Sequence, residues 1–99
     1  MGLNEAEYVD LLQLFVDTSA GDLAKLEQAA AKGDSDKAAA AAHSLKGAGL
    51  NMGLTEFAGL ADQSAAVVRQ GDMAEVLPFI QKMNRILAEL ARLIGSGPA

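Results

Sequence analysis

Apolar residues recur at steps of three and four through four successive stretches of this chain, and a glycine closes each of the first three, at Gly33, Gly53 and Gly71. That period belongs to amphipathic helices, and a glycine just past the last periodic residue is a common stop. In the first stretch Asn4 and Glu7 have capping-box spacing. Tyr8, Leu11, Leu12, Phe15, Val16, Leu23, Leu26 and Ala30 then form its stripe. Gly21 lies inside this stretch and costs about 1 kcal/mol relative to Ala, so one long helix is expected, with a bend or a break near Ser19 to Asp22 as the alternative. In the second, Asp34 or Ser35 can cap, and Ala38, Ala41, Ala42, Leu45, Ala48 and Met52 form the stripe. Thr55 is expected to cap the third, which carries Leu54, Phe57, Leu60, Ala61, Ser64, Ala65 and Val68. Asp72 and Glu75 read as a capping box for the fourth, with Val76, Leu77, Ile80, Met83, Leu87, Leu90 and Ile94. Pro78 sits early enough that its missing N–H loses little beyond a local kink. Gly95 to Ala99 reads as a frayed tail. The expected helices span about 4–32, 35–51, 55–70 and 73–94.

Connections this short make consecutive helices antiparallel neighbours, so the expectation is an all-α, up-down-up-down four-helix bundle. Its 99 residues leave room for a single domain, 1–99. Alanine at 20 positions and only 4% aromatics suit helices. The absence of Cys excludes a disulfide framework and a thiolate metal site. A net charge of −5 argues against a general nucleic-acid binder, which needs a cationic face. Charged residues interrupt the apolar runs well short of the roughly 18 to 20 residues of a membrane span. The N-terminus lacks the basic and then apolar order of a secretory signal. A soluble, cytoplasmic monomer with no nucleic-acid or membrane partner is therefore expected.

Chemistry concentrates at the only histidine, His43, in the run from Ala38 to Gly49. On a helix its neighbours are Ala39 and Ala40 before it and Lys46 and Gly47 after it. The apolar stripe of Ala38, Ala41, Ala42, Leu45 and Ala48 places His43 at the edge of the solvent side. A lone surface His is commonly without consequence. A general base wants a carboxylate to orient it, and a metal wants further ligands, but no acid lies within one turn and no second His or Cys exists. An ammonium beside an imidazole would instead stabilise negative charge built on the ring, and a phosphoryl group carried on nitrogen fits that description.

The residues His43-Ser44-Leu45-Lys46-Gly47, with Gly53 ten positions after the histidine, resemble the signature of the histidine-containing phosphotransfer (HPt) domain family. The resemblance runs from about Leu11 to Leu93. It implies a four-helix bundle with an exposed phospho-accepting histidine at mid-helix. It assigns His43 as the phosphoryl carrier, Lys46 as the contact to the phosphoryl oxygens, and Gly47 as the gap that admits a partner's loops. Ala39, Ala40 and Leu50 would complete the docking face, and Gly53 would shape the turn. Many members carry a polar residue on the third helix opposite the histidine. Here Ala61 or Ala65 falls near that place and cannot hydrogen-bond, leaving Asp62 or Gln63 as substitutes only on a rotated helix. The position after Gly47 is often Ser and here is Ala48.

The resemblance implies a phosphorelay intermediate in two-component signalling, a carrier without independent catalysis. Its partners would be a response-regulator receiver domain and a hybrid histidine kinase. It would need no cofactor of its own; Mg²⁺ would sit on the receiver. Two other readings stand beside it: a helical adaptor or antagonist that binds receiver or kinase domains without carrying phosphate, and the phospho-accepting module of a larger chemotaxis-type kinase. The Met1 start and the Gly95 to Ala99 tail favour a stand-alone protein over the latter. The remaining features read as structural. The Ala38 to Ala42 run is helix propensity that also makes a flat surface. Met52, Met73 and Met83 are core gap-fillers. Gly47-Ala48-Gly49 lacks the order of a phosphate loop. Asp17, Asp22, Glu27, Asp34 and Asp36 are a solvated face.

Overall fold

The computed structural model describes residues 4–95, and within them the fold is helical throughout. Helix α1 spans Glu5–Ala31, α2 Ser35–Asn51, α3 Thr55–Arg69 and α4 Leu77–Gly95, with a single 3₁₀ turn, Met73–Val76, leading into α4. Each helix packs on the next and α4 returns to α1, so the four close into an antiparallel bundle. Helix α1 is continuous through Gly21. Packing against its neighbours in the bundle outweighs the propensity cost of one glycine.

One device repeats at the first three helix ends. Gly33, Gly53 and Gly71 adopt positive φ, at 70°, 72° and 81°. At each, the next N–H reaches back to a carbonyl five residues earlier: Asp34 to Ala29 at 2.8 Å, Leu54 to Gly49 at 2.8 Å and Asp72 to Val67 at 3.0 Å. The glycine N–H itself donates to the carbonyl three residues earlier. These are Schellman closures, in which a left-handed residue lets the chain satisfy its last carbonyls while reversing. The residue after each glycine then becomes the N-cap of the next element.

That register displaces one expected cap, and a second keeps its place without its side-chain bond. Leu54, not Thr55, holds the N-cap of α3, and it has no side-chain oxygen to offer. Asp72 makes no side-chain capping bond, and its backbone carbonyl instead accepts from Glu75 N–H at 3.2 Å. The fourth expected helix is divided accordingly, with the 3₁₀ turn ahead of α4 and Pro78 at the second position of α4, where a missing N–H costs least. Asp34 does cap α2, its Oδ1 accepting from Lys37 N–H at 3.1 Å, and so is more than part of a solvated face. Ser35 turns away from capping and donates its hydroxyl to the Val68 carbonyl of α3 at 2.9 Å. Asn4 Oδ1 accepts from Glu7 N–H at 2.8 Å. Gly95 closes α4 as a helical residue and is not part of a frayed tail; residues 96–99 lie outside the described residues.

The core is built from one stripe per helix. Phe15, Leu23 and Leu26 of α1 meet Leu45 of α2, Phe57 and Val68 of α3, and Ile80, Met83 and Leu87 of α4. Phe15 and Phe57 meet edge to face with centroids 5.1 Å apart. Met83 is fully buried, while Met52 and Met73 pack on the core from its margin. Helix α1, with 27 residues, is about 40 Å long and overruns the 17-residue α2. Its first two turns consequently leave Tyr8 and Leu11 exposed, so the stripe read there does not enter the core. Leu77 is likewise exposed, since the 3₁₀ turn rotates it outward and buries Val76 in its place.

Candidate functional site

Helix α2 owes its position to what it lacks. Its buried face is Ala38, Ala41, Ala42, Leu45 and Gly49, all small but one, and it lies deep against α3. Gly49 is the point of closest approach: a Cβ there would stand 3.1 Å from the Ala58 nitrogen and 3.1 Å from Phe57 Cδ1. One turn up from that contact, on the solvent edge, Lys46 Nζ reaches across to Asp62 Oδ1 of α3 at 3.1 Å.

His43 lies a further turn up, exposed at the middle of α2. Among the described residues its imidazole has no hydrogen-bond partner. Ala65, one turn on from Asp62 along α3, is buried and offers no polar atom. Asp62 and Gln63 make no hydrogen bond to the ring either, and Asp62 is engaged by Lys46 instead. Around the imidazole the side chains are small. Ala40 and Gly47 are exposed, Ala39 is half-buried against the core, and nothing stands within 4 Å of where a Gly47 Cβ would be. Leu50 continues the same face two turns on and is 55% exposed. Gly53 closes the helix below it with φ 72°. His43, Lys46, Gly47 and Leu50 therefore share one open stripe, while Ala39 sits on its inner margin.

Asp62 is the member of this group that sequence reasoning did not assign to Lys46. Its signal was the antiparallel register of α2 and α3, which becomes readable only once the Gly53 turn is fixed. Groups of three or more His, Cys, Asp or Glu able to hold a metal ion are absent among the described residues.

Chemically the arrangement is an exposed imidazole with one ammonium at helical reach, beside a groove between α1 and α2 that Ala40 and Ser44 help to line. The sequence model of the Hpt domain matches residues 10–95, and the chain belongs to the Hpt domain family. Members are phosphocarrier modules of histidine phosphotransfer in two-component signalling, which work with receiver and kinase partners. No curated protein and no solved structure was found to match the chain. No described helix is long and apolar enough to cross a membrane.

Proposed function

We propose that His43 is the phosphoryl acceptor of a cytoplasmic phosphorelay and exchanges the group with the aspartate of a receiver domain. The observation that carries this reading is the exposed, unpartnered imidazole at mid-helix, flanked by small residues and one ammonium. In the transfer, the unprotonated imidazole nitrogen attacks phosphorus, forming the P–N bond. The P–O bond of the aspartyl phosphate breaks, and its electron pair stays on the carboxylate. The phosphoimidazolium then loses its remaining ring proton to water.

The chain contributes the nucleophile, the Lys46 ammonium against the phosphoryl oxygens, and an unobstructed approach over Ala40, Gly47 and Leu50, with Ala39 at its edge. The receiver contributes Mg²⁺ and the in-line geometry, so positioning and charge neutralisation carry the step. No catalysis independent of a partner is proposed.

The test is His43→Gln. The variant keeps its helical content and melting temperature, since an exposed side chain contributes little stability, and it takes no label from phosphoramidate or from a phosphorylated receiver. Acid-labile labelling of this variant at the wild-type level would overturn the assignment.

A further inference from the structure

The sequence places no carboxylate within one turn of His43, yet the fold delivers one to Lys46 from the neighbouring helix at 3.1 Å. We propose that Asp62 is a positioning residue that competes with the phosphoryl group for Lys46, and so raises the tendency of phosphorylated His43 to give its phosphoryl group away. The inference rests on His43 as acceptor and extends that reading from which residue holds the group to how firmly it is held.

Before phosphorylation the Lys46 ammonium is satisfied by Asp62. Once the P–N bond forms, an anionic group stands one helical turn away, where residues three apart bring their Cβ atoms to about 5–6 Å. Two arrangements are then open to Lys46. It can leave Asp62 for the phosphoryl oxygens, which forfeits the existing pair. It can also bridge the two, which draws two anions onto one cation. Either way the phosphorylated form carries a cost that the free form does not.

The geometry that imposes this choice is specific. Gly49 lets α2 and α3 approach closely enough for the lysine to span them, and Ala58 and Ala65, one turn to either side of Asp62, offer no other group. The side chains of Lys46 and Asp62 are 41% and 64% exposed, so water screens the pair and the effect is modest. It should change the transfer equilibrium by about two- to fivefold, the range that exposed ion pairs support.

The experiment labels wild type, Asp62→Asn, Asp62→Glu, Lys46→Ala and the Lys46→Ala/Asp62→Asn double variant with phosphoramidate. Each is then equilibrated in Mg²⁺ with a receiver domain that exchanges phosphoryl groups with the wild type, and the distribution of label is read. Asp62→Asn should shift the equilibrium about two- to fivefold toward phosphohistidine, Asp62→Glu should restore the wild-type value, and the shift should shrink toward none in the Lys46→Ala background. An unchanged equilibrium, a shift toward the receiver, or an equal shift with and without Lys46 would each overturn the proposal. Failure of the wild type to label at His43 would overturn the acceptor assignment instead, and it would be seen before any receiver is added.

Discussion

Two glycines a half-turn apart on α2 should respond in opposite directions to the same substitution. At Gly47 nothing lies within 4 Å of an added Cβ. Alanine there should keep the full gain in helix propensity, about 1 kcal/mol. At Gly49 the added Cβ meets Ala58 N at 3.1 Å, Phe57 Cδ1 at 3.1 Å and Ala58 Cα at 3.3 Å. Two of these atoms are α3 backbone. The third belongs to a fully buried ring held edge-on by Phe15, so it cannot swing aside cheaply. The helices must part by a few tenths of an ångström, and overpacking of this kind costs about 1–3 kcal/mol. Set against the same propensity gain, Gly49→Ala should lose about 1 kcal/mol, leaving the two variants about 2 kcal/mol apart. For a domain of this size that separates the melting temperatures by roughly 8–16 °C. Thermal and urea unfolding followed by circular dichroism would measure it. Equal midpoints, or Gly49→Ala the more stable of the two, would refute the close-approach argument.

Lys46→Ala should fold normally and accept the phosphoryl group more slowly, by roughly fivefold or less, because an exposed charge contact contributes about 1 kcal/mol at most; rates equal to wild type in both directions would leave Lys46 with no role at the phosphoryl group. Gly47→Leu should be at least as stable as the parent and still label with phosphoramidate, yet exchange poorly with a receiver. Loss with both donors would mean that the site itself was damaged, and no loss with the receiver would turn Gly47 away from the interface. Asp34→Ala removes the carboxylate that accepts from Lys37 N–H and should cost about 1 kcal/mol, read as a lower urea midpoint with phosphoryl acceptance intact.

What the sequence disclosed depended on how local the determinant was. The Asn4 and Asp34 caps involve bonds to backbone only three residues away, and local chemistry suffices to read them. Thr55 and Asp72 looked equally suited to capping. Thr55 lost its place to the Schellman closure at Gly53, which makes the residue after the glycine the N-cap whatever its side chain, whereas Asp72 holds the N-cap but opens a 3₁₀ turn in which its backbone carbonyl takes the Glu75 N–H. Exposure of Tyr8 and Leu11 was hidden for a different reason. Periodicity reports a face, and only the relative lengths of α1 and α2 show that this face runs past its partner. At the site, His43 and Lys46 stood out because they share one helix. Asp62 did not, because its pairing spans two helices and depends on the backbone approach at Gly49.

The imidazole of His43, which nothing among the described residues holds, carries a kinetic consequence. A ring without an internal anchor samples its rotamers on the picosecond to nanosecond scale and can bear its proton on either nitrogen. In the proposed transfer each productive encounter must therefore freeze the ring afresh, at about 0.5–1.5 kcal/mol for an immobilised side chain. That entropy is drawn from the binding step, so complexes are shorter-lived than their contact area alone would give. The same looseness lets differently shaped active sites each impose their own angle of attack. On the proposed reading, alignment becomes a property of whichever partner arrives, and the ring itself favours no single angle of approach.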